Sequence, residues 1–186
     1  MPDAYARPVI GRRICVIGTS GAGKTTVARA IAERCGFTYI DNDTIIWRAN
    51  WQQTPSAESY AEKDLATRGD GWVTDGNLGN DPDDQLLLSR CDTLVWLDLP
   101  RAVVHWQVIR RTLGRVVKRT PLARGNRESV RTMLSRDSIF WWSIKTFARR
   151  RKRYGELFAR GDRPYLVRLT SRRQIADWLA ALAVVA

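Results

Sequence analysis

Eight consecutive residues constrain this chain more than any others. Gly18-Thr19-Ser20-Gly21-Ala22-Gly23-Lys24-Thr25 fits G-x-x-x-x-G-K-[ST] at every position. The pattern has force only between a strand and a helix. Both are legible. Arg13–Gly18 is a short β-branched run, the pattern of a buried parallel strand. Lys24–Cys35 sets Val27, Ala28, Ile31 and Ala32 on one helical face, and Gly36 supplies a stop. Glycines let the backbone N–H groups turn inward around an anion, and the helix N-terminus adds partial positive charge. Lys24 is then placed to reach the β- and γ-phosphates of a nucleoside triphosphate, and the Thr25 hydroxyl to ligate Mg²⁺. The expectation is an ATP site with Mg²⁺, lined by the eight loop residues and Thr26.

The rest of the chain alternates strand and helix patterns. Strands are expected at residues 37–41, Trp72–Asp75, Thr93–Leu97 and Tyr165–Leu169. Helices are expected at residues 56–68, Arg101–Lys118, 138–158 and 172–183, with residues 120–127 loop-like around Pro121. Such alternation implies an α/β fold with a parallel sheet and helices on both faces. Residues 1–12 read as a flexible leader, and residues 13–186 as one domain. No apolar run approaches the roughly 18 residues needed to cross a bilayer, and the N-terminus lacks an apolar signal core. Cys15, Cys35 and Cys91 form no C-x-x-C pair, which points away from a metal or disulfide framework. A soluble cytoplasmic protein is expected.

Phosphoryl transfer also needs acids near the metal and the accepting hydroxyl. In a doubly wound sheet these stand at the carboxyl ends of strands. Asp41 and Asp43 end the second strand, Asp75 the third in Asp75-Gly76-Asn77, and Asp98 the fourth. Each has a plainer reading beside the functional one. Asp43 caps the turn that follows, Asp75-Gly76 is a bare turn, and Asp98 caps the helix after Pro100.

These residues resemble the adenylate-kinase-like nucleotide and metabolite kinases among the P-loop NTPases. The closest resemblance is to the DNA topology modulation protein group. It rests on the phosphate loop, Asp43 followed by Trp47 and Trp51, Asp75-Gly76-Asn77, Leu97-Asp98-Leu99-Pro100, and Leu169-Thr170-Ser171-Arg172-Arg173. Asp41-x-Asp43 is also similar to shikimate-kinase-like enzymes, where the second aspartate holds the accepting hydroxyl. Those enzymes carry a Gly-rich turn where this chain has Asp-Gly-Asn. The resemblance implies a three-layer fold with a five-stranded sheet in the order 2-3-1-4-5, and a helical, arginine-bearing lid at roughly residues 110–136. It implies nucleotide contacts that extend to Thr170 and Ser171, acceptor contacts from Asp43, Trp47, Asp75, Gly76 and Asn77, and a metal held by Thr25 and Asp75.

Charge is divided unevenly. Residues 1–100 carry 10 basic and 14 acidic side chains, and residues 101–186 carry 21 and 5. A basic half seeks a polyanion, either nucleotide phosphates or nucleic acid. On the expected helix at Arg101–Lys118, Trp106, Ile109, Leu113 and Val116 form an apolar stripe. Arg111 and Arg115 lie on another face, and residues 110–119 contain no acid. These two arginines are expected to be catalytic, stabilising charge on the transferred phosphoryl group. The cations at 149–153 read as a solvated or acid-docked helix end, or as a weak nucleic-acid patch. Trp72, Trp96 and Trp178 are expected in the core, and the single His105 reads as structural. Two functions follow: ATP-dependent transfer to a small hydroxyl- or phosphate-bearing acceptor, with Lys24 and Asp43 at its centre, or nucleotide-gated nucleic-acid binding.

Overall fold

The computed structural model describes residues 9–118 and 139–184, with side chains for 9–114 and 144–182. Its elements in chain order are β1 (Val9–Ile10), β2 (Arg13–Gly18), α1 (Lys24–Cys35), β3 (Thr38–Asp41), α2 (Asn42–Ile46), a 3₁₀ turn (Ala49–Trp51), α3 (Ser56–Ala66), β4 (Trp72–Asp75), α4 (Pro82–Arg90), β5 (Thr93–Leu97), α5 (Arg101–Lys118), α6 (Ile139–Ala159), β6 (Tyr165–Leu169), α7 (Arg172–Ala181) and β7 (Ala183–Val184).

Five parallel strands form the main sheet in the order β3-β4-β2-β5-β6. Counted from the strand before the phosphate loop, this is the expected 2-3-1-4-5; the short β1 shifts the labels by one. The central strands are apolar on both faces because helices cover both. Ile14, Val16, Val73 and Val95 pack with Val27, Ala28 and Ile31 of α1 and Trp178 of α7. Their neighbours Cys15, Ile17, Trp72, Leu94 and Trp96 turn the other way, onto Leu87 and Leu88 of α4 and Tyr154 and Leu157 of α6. Trp72, Trp96 and Trp178 are buried, as expected. Register then fixes the site. Asp41 pairs with Asp75, Val16 with Asp75, and Gly18 with Leu97, so the strand-end acids and the loop share one edge.

Residues 9–12 are not a loose leader. β1 pairs in parallel with β7 at the far end of the chain. The Gly11 N–H donates to Thr93 Oγ1 at 2.9 Å, and the Arg12 and Arg13 N–H groups donate to the Asp92 carboxylate. The apolar stripe of α5 lies partly in solvent. Trp106 is 61% and Leu113 49% exposed, while Val104, Val108 and Thr112 form the buried seam. That seam is spaced i, i+4, i+8, and it turns Arg111 toward the protein.

Helix α4 was not expected, although its start is conventional: Asp81 at the N-cap, Pro82 at the first position, Asp83 and Asp84 in the first turn. It packs on α3 through a buried ionic cluster. Lys63, fully buried, donates to Asp83 Oδ2 at 2.7 Å and Asp84 Oδ1 at 2.9 Å, and the Ser59 hydroxyl donates to Asp83 Oδ2 at 2.6 Å. Burial pushes the Asp83 carboxyl up, but the bonds from Lys63 and Ser59 outweigh it and hold the group below its ordinary value. Lys63→Ala strips two buried carboxylates of their counter-ion and is expected to cost about 3–5 kcal/mol. Urea unfolding measures this; a loss under about 1 kcal/mol would show that the cluster is not closed to water.

Candidate active site

The phosphate loop leaves β2 at Gly18 and enters α1 at Lys24. Two of its glycines are required by geometry. Gly21 has φ +88°, and a Cβ there would lie 2.4 Å from Val108 Cγ2, because the loop closes beneath α5. Gly23 has open space around it but φ +91°, which L side chains rarely adopt. As the N-cap of α1, Gly23 makes no side-chain hydrogen bond, and the first turn of that helix carries no acid. The helix N-terminus thus remains suited to an anion. Thr19, Ser20 and Ala22 are buried, and Thr26 is exposed on the first turn of α1.

Lys24 is buried. Its ammonium donates to the Gly18 carbonyl at 3.0 Å, the Thr19 carbonyl at 3.3 Å and Asn77 Oδ1 at 3.1 Å. Burial lowers its pKa to about 8, against the opposing pull of Asp75 and Asp43, while Arg150 and Arg111 press it further down. Beside it the Thr25 hydroxyl donates to Asp75 Oδ2 at 2.7 Å, and the Tyr39 phenol donates to Asp75 Oδ1 at 2.7 Å. A Cβ at Gly76, where β4 ends, would meet Asn42 Nδ2 at 2.6 Å and displace that side chain.

The two acids ending β3 divide their tasks. Asp41, not Asp43, caps α2: its Oδ1 accepts from the Asp43 N–H at 3.1 Å. Burial, then the charges of Asp75 and Asp43, push the Asp41 carboxyl up. Asp43 is left exposed on the first turn of α2, and its charge bears on both Lys24 and Asp41. The capping reading of Asp43 is therefore replaced by Asp41. One helical turn on, Trp47 is half-buried and meets Trp51 edge-to-face, ring centroids 5.9 Å apart.

The Asp98 carboxylate is held by two arginines rather than by the first turn of α5. Arg151 Nε donates to its Oδ1 at 2.6 Å and Arg168 Nη2 to its Oδ2 at 2.5 Å. Burial raises its carboxyl, but the two guanidiniums prevail and hold it low. The cations at 149–153 are thus shared out: Arg151 docks on Asp98, Arg153 donates to Asn80 Oδ1 at 2.8 Å, and Arg150, half-buried, bears on Lys24. Arg150 was missed in the sequence, where it stands inside a run of five cations. The charge of Arg111 also bears on Lys24. The side chain of Arg115, and residues 119–136 of the expected lid, lie outside the described residues.

A cleft of about 410 Å³ opens beside the loop, lined by Leu99, Val103 and Trp106 on one side and Thr170, Ser171 and Arg172 on the other. Thr170 and Ser171 stand at the N-terminus of α7, where Ser171 Oγ accepts from the Gln174 N–H at 3.1 Å. Gln107, also missed, links this cleft to the loop. With its nitrogen toward the Gly21 carbonyl, its oxygen accepts from Arg172 Nε at 2.9 Å and Nη2 at 2.8 Å.

The parallel sheet, the loop at its central strand, and a threonine bonded to a buried aspartate on the next strand define the class: a P-loop fold whose similar proteins are ATP-dependent kinases. The sequence profile of the shikimate kinase family matches residues 20–65, from within the loop through nearly all of α3. The shikimate kinase of Persephonella marina is 27% identical over 138 residues, which cover 67% of this chain and 80% of that one. Matches to two other shikimate kinases span 28% and 63% of their lengths. Among solved structures, shikimate kinase from Acinetobacter baumannii in complex with shikimate aligns with TM-score 0.56 at 20% identity, over 95% of this chain and 90% of that one. A gluconokinase from Sinorhizobium meliloti aligns with TM-score 0.54 at 18% identity, over 94% and 90%. Both structures share the fold. The likeness to the DNA topology modulation group rests on sequence motifs alone.

Proposed function

We propose that this chain transfers the γ-phosphoryl group of ATP to a hydroxyl of a small metabolite bound between Asp43 and Trp47. One observation carries the reading: Asp43, exposed at the carboxyl edge of the sheet, is close enough for its charge to act on Lys24. The base and the phosphate-binding ammonium then stand at the same edge of the sheet. There Asp43 takes the acceptor's hydroxyl proton as the new O–P bond forms and the bond to the β-phosphate oxygen breaks, releasing ADP. Lys24, Arg111 and Arg150 stabilise charge on the moving group. Asn77, whose side-chain oxygen already aims the Lys24 ammonium, keeps that charge on the acceptor side. The cleft at Thr170 and Ser171 receives the nucleoside, since it is mostly apolar and adjoins the loop through Gln107.

The site suits Mg²⁺. Thr25 Oγ1 and Asp75 Oδ2 are hard oxygen donors 2.7 Å apart, and Mg²⁺ commonly takes one or two carboxylates, waters and substrate phosphates for the rest. Bound there, the ion would neutralise phosphate charge. Four described cations of the basic half have an account without nucleic acid. Arg111 and Arg150 serve phosphates, while Arg151 and Arg168 hold Asp98. The test is ADP release from ATP and Mg²⁺ across a panel of hydroxylated acids, sugars, nucleosides and nucleotides. At least one acceptor is expected to raise the rate well above that with ATP alone; a rate indifferent to the whole panel contradicts the reading.

A further inference from the structure

Tyr39 stands on β3, the edge strand of the sheet, yet its side chain is spent on the neighbouring strand. Its phenol donates to Asp75 Oδ1 at 2.7 Å, while Thr25 donates to Oδ2, also at 2.7 Å. Each oxygen of this buried carboxylate thus has its own hydroxyl donor, and the two donors come from opposite sides. The tyrosine ring is itself fixed. The Arg29 guanidinium lies 4.8 Å from its centroid, and Arg29 Nη2 is 3.9 Å from Asp41 Oδ2. Register holds the frame, with Tyr39 beside Val73 and Asp41 beside Asp75.

A single hydroxyl on one carboxylate oxygen has a definite consequence. An aspartate with only Thr25 to hold it can turn about its last bond and offer a metal either oxygen or both. Mg²⁺ demands near-ideal octahedral geometry, and a carboxylate that turns meets that demand poorly. Groups that hydrogen-bond a ligand without touching the metal orient it and tune its affinity. We propose that Tyr39 is a positioning residue for the magnesium carboxylate. It occupies Oδ1 and locks the carboxylate plane, so that Oδ2 alone faces Thr25 and the phosphates. Arg29 stiffens Tyr39 in turn. This inference rests on the proposed Mg²⁺ role of Thr25 and Asp75.

The test is ADP binding measured calorimetrically against Mg²⁺ concentration, in wild type, Tyr39→Phe and Arg29→Ala. Tyr39→Phe keeps the ring and removes one oxygen. Its Mg²⁺ midpoint is expected to rise by about 10–100-fold, the usual cost of losing such an outer partner. ADP affinity in excess chelator is expected to stay at the wild-type value, while the lost bond to a buried carboxylate lowers the melting temperature by a few degrees. Arg29→Ala is expected to shift the midpoint in the same direction by less. An unchanged midpoint in Tyr39→Phe overturns the proposal. So does equal weakening of ADP binding with and without metal, which would make Tyr39 a structural residue only. Wild-type binding that ignores Mg²⁺ would overturn the metal reading itself, and the role of Tyr39 with it, while leaving the phosphate loop intact.

Discussion

Lys24→Ala is expected to abolish phosphoryl transfer and to weaken ATP binding by about 10–100-fold. Hydrogen bonds to charged groups are worth about 1.5–3 kcal/mol, which sets the binding loss. The loss in turnover is larger, because a preorganised cation acts most where charge develops; removal of one such donor typically costs about 10²–10³ in kcat. Stability moves the other way. The folded-state pKa of Lys24 lies near 8, below the ordinary lysine value, because burial disfavours its charge. The unfolded chain therefore binds the extra proton between those values. The cost of burying the ammonium is full below pH about 8 and is relieved as pH rises from there. At neutral pH the alanine variant should melt no lower than wild type. The same ammonium makes binding pH-dependent. Phosphates restore its charge, so wild-type ADP affinity should fall as pH rises past about 8, with proton uptake on binding. Lys24→Ala should flatten that profile. Calorimetry in two buffers of different ionisation heat measures both effects; wild-type affinity with no pH dependence from 7 to about 9.5 would refute the assignment of Lys24 to the phosphates.

Asp43→Asn is expected to slow transfer to the acceptor by about 10²–10⁴-fold, the usual contribution of a general base. ATP binding should remain near wild type, since the change keeps the side chain's size and Asp43 is exposed. The neighbouring aspartate supplies the contrast. Asp41 caps α2 through the Asp43 N–H, so Asp41→Ala should cost about 0.5–2 kcal/mol of stability, as helix caps do. Asp43→Asn should cost little. Single-turnover rates with an accepted substrate, set beside urea melts, separate the two. A wild-type transfer rate in Asp43→Asn would remove it from the chemistry.

What the sequence made legible was local. The phosphate loop is contiguous, and its strand and helix announce themselves within a few residues on either side. Bounds of β2, α1, β4, β5, α5 and β6 were read correctly because apolar runs and helical periodicity act over short spans. The strand order was legible only through family resemblance. What failed was long-range. Pairing of β1 with β7 joins the two ends of the chain through two residues each, with no pattern to betray it. The bond between Tyr39 and Asp75 spans 36 positions, and that between Arg151 and Asp98 spans 53. What covers the stripe on α5 was not legible for a different reason. Periodicity marks an apolar face but not what covers it, and Val104 and Val108 proved to be the seam while Trp106 lines the cleft. Roles for Asp41 and Asp43 were ambiguous because aspartate suits both a cap and a base; only the hydrogen bond from the Asp43 N–H separates them.

The fate of the γ-phosphoryl group tests the central claim most directly. With γ-labelled ATP, Mg²⁺ and the acceptor panel, the account predicts that label leaves ATP as a new phosphate ester of one small hydroxylated molecule. It predicts that label released as inorganic phosphate is minor, and that both products vanish in Lys24→Ala. Label appearing only as inorganic phosphate, at a rate no acceptor changes, would contradict it and make the chain a nucleotide hydrolase.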